Sequence, residues 1–352
     1  MTIDERIAKV REFFTDKLSL RIFDKRVEIG KGIKKENFQE LFDLVEFDPG
    51  EKERLLESIQ KHIEGLLDPE RETFIYGAGA GCISILCASG RELDVQGISG
   101  IIDNYVKGER YGLPIITFSE FKEKHKGALV FNSIGVPVGK VIHQQCADAG
   151  IDVISLFEFD RSWDQYFDLP AELGLVGQNE VFVQAGCYNG NTQKSYINWF
   201  GDTYEKLIAF EPNETQYEIC SNIFRGFRDA NLVKAGLSDK TGRVKFNLHL
   251  PGSSFISDTG TEEIETVSLD EYMGDRKVTF IALDIEGEEF KALKGAEKII
   301  RTQKPKLAIS VYHKPEDIYE LPELIKSFRP DYKLYLRHYH LLDMAETVLY
   351  AL

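Results

Sequence analysis

Apolar positions along this chain follow two rhythms, and the change between them comes near residue 71. In residues 1–70 they recur at helical spacing: Leu55, Leu56, Ile59, Ile63, Leu66 and Leu67 mark one face of EKERLLESIQKHIEGLL. That period predicts a helical segment whose apolar face packs within the chain or against a second subunit. From residue 71 on, short contiguous apolar runs alternate with helix-period stretches, the pattern of buried parallel strands joined by helices.

Two α/β units follow from this alternation. In residues 71–158, strands are expected at Phe74–Tyr76, Val95–Ile102 (ending in Asp103-Asn104), Ala128–Phe131 and Val153–Leu156. Helices are expected from Ile83 and over Val138–Ala149, with a turn through Gly108 and Gly112-Leu113-Pro114. Residues 159–180 have few strand formers and are broken by Pro170 and several glycines, so they predict a connection with one helical turn. Trp163, Tyr166 and Phe167 are expected to pack on a neighbour there. Residues 181–352 form the second unit, with strands at Val181–Val183, Lys206–Phe210, Asn231–Leu237, Val278–Leu283, Lys306–Val311, Lys333–Leu336 and Thr347–Tyr350. Two further strand-like runs, Val244–Leu250 and Ile264–Leu269, flank a PGSS loop, and the stretch EGEEFKALKGAEKIIR is helical.

Composition narrows the class. A net charge of −15 argues against nucleic acid as partner, because phosphate binding needs a basic face. Five cysteines without a CxxC pair point to a reducing, cytoplasmic setting without structural disulfides. The start MTIDERIAKVREFF is charged and amphipathic, unlike a signal peptide, and no apolar run reaches the length of a membrane span.

The chemistry concentrates in VFVQAGCYNGNT, Val181 to Thr192. An apolar strand breaks into Gly186 and Gly190, and a helix starts at Thr192. Such a turn lets backbone approach a nucleoside-bearing cofactor closely. About twenty residues on, Glu211 ends the next strand, the offset at which a carboxylate takes both ribose hydroxyls. The other glycine loop, Gly77 to Gly81, is only a partial fingerprint, since a GxGxxG counted from Gly77 meets Cys82 at its third glycine. The stretches IYGAGAGCIS, IIDNY and GLPII loosely resemble the nucleotide-binding N-terminal domains of some bacterial sugar-modifying enzymes, which implies a nucleotide or nucleotide-sugar at Gly77–Gly81 or a purely structural domain.

VFVQAGCYNGNT, IAFEPN, VSLDEYM, FIALDIEGEEFKALKGAEKII, LAISVYHKPEDI and YLRHYH with ETVLYAL stand in this order across residues 178–352. Together they resemble the FkbM-type methyltransferases. The resemblance implies a class I methyltransferase fold, a parallel sheet finished by an antiparallel last strand, with S-adenosylmethionine as cofactor and hydroxyl oxygens of sugars or natural products as acceptors. The expected architecture is thus α/β, two Rossmann-like domains preceded by an N-terminal helical segment. The family commonly has an acid where this chain has Gln184, which keeps hydrogen bonding but loses charge.

Strand-end position and the resemblance together assign Gln184, Gly186, Gly190, Glu211, Ser238, Asp239 and Asp284 to the cofactor: Glu211 to the ribose, Ser238 or Asp239 to the adenine edge, Asp284 to the methionine part. Candidates for the base that removes the acceptor proton are His313, Asp284 and Glu286, with His313 favoured by its ordinary pKa. His338 and His340 are candidates for the same rim. Asp284 and Glu286 with a histidine are also a possible divalent-metal set, but their spacing defines no coordination site, so no metal is assigned. Two other classes compete: a nucleotide-dependent oxidoreductase or epimerase seated in residues 71–158 with Asp103 as its acid, and a non-catalytic scaffold, which Gln184 makes conceivable.

Overall fold

The computed structural model describes residues 2–31, 41, 44, 71–79, 82, 98–110, 112–135, 138–155, 165–247, 255–256, 260, 262–340 and 345–352. The apolar face at 51–67, the helix from Ile83, Trp163, Ala80, Gly81 and the PGSS loop lie outside them. Two compact units emerge: residues 1–30 with 162–339 and 345–352, and residues 31–161 with 340–344.

Two helices open the chain, α1 (Ile3–Arg11) and α2 (Lys17–Lys31). Thr2 and Glu5 form a capping box that satisfies the first amides of α1. The segment between the helices and α2 itself cover a sheet edge: Thr15 N–H donates to the Leu334 carbonyl (2.9 Å) and Ser19 Oγ accepts from Leu336 N–H (2.8 Å). An edge covered in this way offers no free ladder to another chain.

The unit of residues 71–155 carries β1 (Thr73–Tyr76), β2 (Ile98–Ile102), β3 (Gly108–Arg110), β4 (Leu113–Ile116), α3 (Phe118–Lys124), β5 (Leu129–Asn132), α4 (Val138–Asp148) and β6 (Val153–Ser155). Its sheet runs β3-β4-β2-β1-β5-β6, parallel except for the β3–β4 hairpin. The segment expected to be a plain turn at 108–114 is therefore a hairpin; β4 finds a parallel partner in β2, which local residue type cannot announce. Asp103 is engaged by backbone. Its carboxylate accepts the backbone N–H groups of Ala78, Tyr105 and Val106 at 2.8–3.0 Å, fastening the glycine turn to the end of β2.

The larger unit continues with α5 (Asp168–Glu172), β7 (Val181–Ala185), α6 (Asn191–Phe200), β8 (Lys206–Phe210), α7 (Glu214–Phe224), β9 (Ala230–Val233), β10 (Gly236–Leu237), β11 (Gly242–Asn247), β12 (Phe255–Ile256), β13 (Glu262–Val267), α8 (Leu269–Met273), β14 (Phe280–Leu283), α9 (Glu289–Lys294), α10 (Glu297–Gln303), β15 (Lys306–Ser310), α11 (Asp317–Phe328), β16 (Leu334–His338) and β17 (Thr347–Ala351). The seven-stranded sheet has the order β16-β17-β15-β14-β7-β8-β9. Only β17 is antiparallel to its neighbours, and it inserts between β15 and β16. This is the expected class I methyltransferase arrangement. Its strand order reverses at β7, flanked by β14 and β8, so the carboxyl ends of these three strands frame the crevice where ligands of open α/β sheets lie.

One strand divides where continuity was expected. Asn231–Leu237 is two strands: β9 ends at Val233 in the main sheet, and β10 pairs with β13 in a separate sheet of order β10-β13-β11-β12. The helix expected over EGEEFKALKGAEKIIR is likewise two, broken at Gly295, whose backbone lies against the Ser238 carbonyl too closely for any side chain. Phe167 does pack on a neighbour: its ring meets Phe182, Tyr196, Phe200 and Phe280 edge-on at 5.7–6.0 Å. Among the described residues no helix is long and apolar enough to cross a membrane, and the four described cysteines, Cys82, Cys146, Cys187 and Cys220, are free and buried.

Candidate functional site

The crevice is built from the ends of β7, β8, β14 and β15. After β7 the chain turns sharply through Gly186 (φ +84°), where an added Cβ would collide with the Asp284 carbonyl. Glycine is therefore required here by the approach of two strand ends, independently of any ligand. Gly190 (φ +70°) caps α6 in the left-handed region, against Ile223.

Glu211 sits at the tip of β8, 6% exposed. Oε2 accepts Tyr188 N–H and Oε1 accepts Asn213 N–H, each at 2.9 Å, so the carboxylate ties the glycine turn to the start of α7. Burial raises its pKa, against the two amides that favour the charged form. Gln184 turns its amide inward. Nε2 donates to the Gly186 carbonyl (2.8 Å) and Thr192 Oγ1 (3.2 Å), and Oε1 accepts from Gln193. Both donors and the carbonyl are used within the turn, so the residue shapes the loop without needing charge.

Asp284 follows β14 and gathers donors from distant segments. Tyr166 Oη donates to Oδ2 (2.9 Å), and Tyr312 Oη reaches Oδ1 (3.0 Å) and Oδ2 (3.2 Å). His313, 9% exposed at its side chain, lies between carboxylates: Nε2 is 3.3 Å from Asp284 Oδ1 and 3.9 Å from Glu286 Oε2, and Nδ1 is 3.0 Å from Glu289 Oε1. Glu289 is fully buried, and its Oε1 also accepts Ile285 N–H at 2.8 Å. Burial alone would lower the His313 pKa, but Glu289, Asp284 and Glu286 outweigh it and push it up to about 10. Burial pushes Glu286 up to about 7, helped by Asp284 and Glu289 and opposed by His313, while His313 and the Ile285 amide hold Glu289 down despite its burial.

This geometry weighs against His313 as the base. With no cation bound, a ring among three carboxylates keeps its proton near neutrality, and a nitrogen lone pair becomes available only when that proton is displaced. Ser238 and Asp239 follow β10, beyond the end of β9. Ser238 packs on Gly295, at the end of α9 remote from Asp284, and Asp239 is exposed. The segment that borders Glu211 is instead Val233 to Gly236: Glu211 N–H donates to the Val233 carbonyl (3.0 Å), and Gly236 approaches Pro212. His338 is buried in β16 with Nδ1 2.9 Å from Thr347 Oγ1, and His340 is buried as well.

Backbone strain gathers at the same place. Among the described residues seven non-glycine positions have φ above zero, and four of them serve this region: Tyr166, Tyr188, Glu286 and Glu346. Tyr166 reaches Asp284, Tyr188 holds Glu211, Glu286 is in the cluster, and the Glu346 charge adds to burial and Asp284 in raising the pKa values of Tyr166 and Tyr312. Conformations of this kind persist where surrounding structure over-determines them, as at functional sites.

Residues 176–334, which span this crevice, match the family model described as methyltransferase FkbM domain. The protein is a methyltransferase. Among solved structures, it is similar to a methyltransferase FkbM from Methylobacillus flagellatus KT, 22% identical over 84% of this chain and 93% of that one, with a TM-score of 0.49. An rRNA methylase from Streptococcus thermophilus is 17% identical over 53% and 91% of the two chains, TM-score 0.35. Aeropyrum pernix fibrillarin, solved with natively bound S-adenosyl-L-methionine, is 10% identical over 55% and 76%, TM-score 0.35. No curated protein matches.

Four residues of this crevice and its acidic cluster went unread in the sequence. Tyr166 lies in the stretch read as a connection. Tyr312 stands beside His313 without a local pattern to mark it. Glu289 follows two other acids in EGEE, where helix surface is the plainer reading, and Glu346 precedes the last strand. Only the run of acids after β14 was a usable signal.

Proposed function

We propose that the methyltransferase binds S-adenosylmethionine in the crevice between Gly186, Glu211 and Asp284 and methylates a hydroxyl of a sugar, glycan precursor or small natural product. The observation that carries the cofactor reading is Glu211. It is a buried carboxylate, held by one backbone amide at each oxygen, with lone pairs left for two ribose hydroxyls that would offset its burial.

When bound, S-adenosylmethionine would supply an electrophilic methyl group from its sulfonium to the acceptor oxygen and leave as S-adenosylhomocysteine, with the hydroxyl proton passing to a base. The protein's part is to hold acceptor oxygen and methyl in line and to take that proton. Asp284 already accepts two tyrosine hydroxyls and faces His313, which holds it as a fixed charge near the cofactor's cationic end. Glu286, more exposed and 3.9 Å from His313, is the carboxylate left to accept the proton. His313 acts through its neighbours, setting the positions and charges of Asp284, Glu286 and Glu289.

Thermal shift with S-adenosylhomocysteine, NAD and a nucleotide-sugar tests the reading, since a ligand that prefers the folded state raises the melting temperature. S-adenosylhomocysteine should raise it. A shift with NAD and none with S-adenosylhomocysteine would move the ligand site to the 71–158 unit. Transfer of labelled methyl to a panel of hydroxylated acceptors then sorts the acceptor class.

A further inference from the structure

The cluster after β14 holds more negative charge than its one histidine can balance. Asp284, Glu286 and Glu289 surround His313, so three carboxylates face one imidazolium. The neighbouring Lys314 ammonium donates to the Gly287 carbonyl, and none of the ion pairs among the described residues joins it to these three carboxylates. Tyrosine hydroxyls and the Ile285 amide add hydrogen bonds but no positive charge.

A second observation singles out the inner end of the cluster. Glu289 is wholly enclosed, yet its Oε2 has no hydrogen-bond partner. His313 Nδ1, also enclosed, lies 3.0 Å from Glu289 Oε1 without an aligned hydrogen bond. Buried polar atoms are normally paired, and an unpaired carboxylate oxygen is among the costliest exceptions. Two such atoms side by side, one from a carboxylate and one from an imidazole, present the donor set of a cation site. One ligand atom from each of Asp284, Glu289 and His313 can be chosen so that all lie within 4.8 Å of one another. An ion with bonds of about 2.1 Å needs ligands no more than about 4.2 Å apart, a closure within the reach of side-chain adjustment.

We propose that Asp284, Glu289 and His313 bind one divalent cation, with Glu286 at its open side. Carboxylates with a single imidazole and no thiolate suit a hard or borderline ion of the Mn²⁺ kind. Three protein ligands leave positions for water or an acceptor hydroxyl, and Asp284 and Glu286 are the partly exposed members, on the side where that hydroxyl would enter. Tyr166 and Tyr312 become the outer groups that orient Asp284, as the Ile285 amide orients Glu289. The ion's role rests on the methyltransferase reading above.

The test uses the full chain, stripped with chelator, dialysed and titrated with MnCl₂ while electron paramagnetic resonance follows free Mn²⁺. One ion per chain is expected, with nitrogen modulation from the His313 ring in the pulsed spectrum. Glu289→Gln and His313→Gln should each weaken binding roughly tenfold or more. Circular dichroism checks the fold of each variant, and calorimetric titration of S-adenosylhomocysteine on the same samples tests the cofactor reading separately. Absence of stoichiometric Mn²⁺ binding overturns the proposal, and if S-adenosylhomocysteine still binds, the methyltransferase reading stands without it. Bound Mn²⁺ lacking nitrogen modulation in the wild type also overturns it, whether or not the variants fold. So does unchanged affinity in both folded variants.

Discussion

Replacing Glu211 with Gln changes one atom and two interactions. The native carboxylate accepts Tyr188 N–H at one oxygen and Asn213 N–H at the other, both at 2.9 Å. An amide keeps one acceptor and turns the other position into a donor that faces a donor. One backbone N–H loses its partner, at a cost of about 1–3 kcal/mol to the fold, partly offset because the variant no longer has a buried charge to desolvate. Ribose hydroxyls lose an ionised acceptor, and hydrogen bonds to charged groups contribute about 1.5–3 kcal/mol. S-adenosylhomocysteine affinity should therefore fall roughly 10- to 150-fold. Calorimetric titration measures the affinity, and urea unfolding of the same preparation measures the fold, so the two effects separate. A folded variant that binds within twofold of wild type would remove Glu211 from the cofactor site and with it the observation on which that reading stands.

Two further outcomes are expected. Gly186→Ala should destabilise the protein by roughly 1–3 kcal/mol or more, because the added Cβ meets the Asp284 carbonyl in left-handed backbone, whereas Gly79→Ala, with open space around it, should stay near wild type; urea midpoints compare them. Asp168, whose carboxylate accepts the Tyr339 and Tyr350 hydroxyls and the Leu169 amide with Arg337 as a more distant charge, is pushed up to about 6 by burial. Its folded pKa is above its unfolded one, so the unfolded chain loses the proton first and stability falls as pH rises from about 4 to about 6, by up to about 3 kcal/mol. Asp168→Asn should flatten that part of the stability–pH curve, and a curve parallel to wild type would show that Asp168 does not titrate with folding.

Legibility from sequence followed the range of the interaction. Contiguous apolar runs marked β7, β8, β14 and β15 because a strand buried on both faces admits little else, whereas the antiparallel last strand was expected from the resemblance to the FkbM-type methyltransferases. Glu211 and Asp284 were readable as strand-end acids because each is the first polar residue after such a run. Gly186 was readable as a required glycine, although its reason is a neighbouring carbonyl and not a ligand.

Tertiary structure decided what depends on partners far along the chain. Asn231–Leu237 has the composition of one strand, but its halves pair with β8 and β13, and that choice sets the Ser238 carbonyl against Gly295. Tyr166 reaches Asp284 across 118 positions and Glu289 meets His313 across 24, distances over which no periodicity operates. The charge state of His313 is of the same kind. An isolated histidine has an ordinary pKa, and only the fold, by enclosing it among three carboxylates, turns a candidate base into a cation or a ligand. Sequence thus determines where chain must be buried and where it must turn, because those are local demands of apolar surface and backbone sterics. Which polar groups share a low-dielectric space, and therefore which protons and ions they hold, is settled only when the strands have found their neighbours.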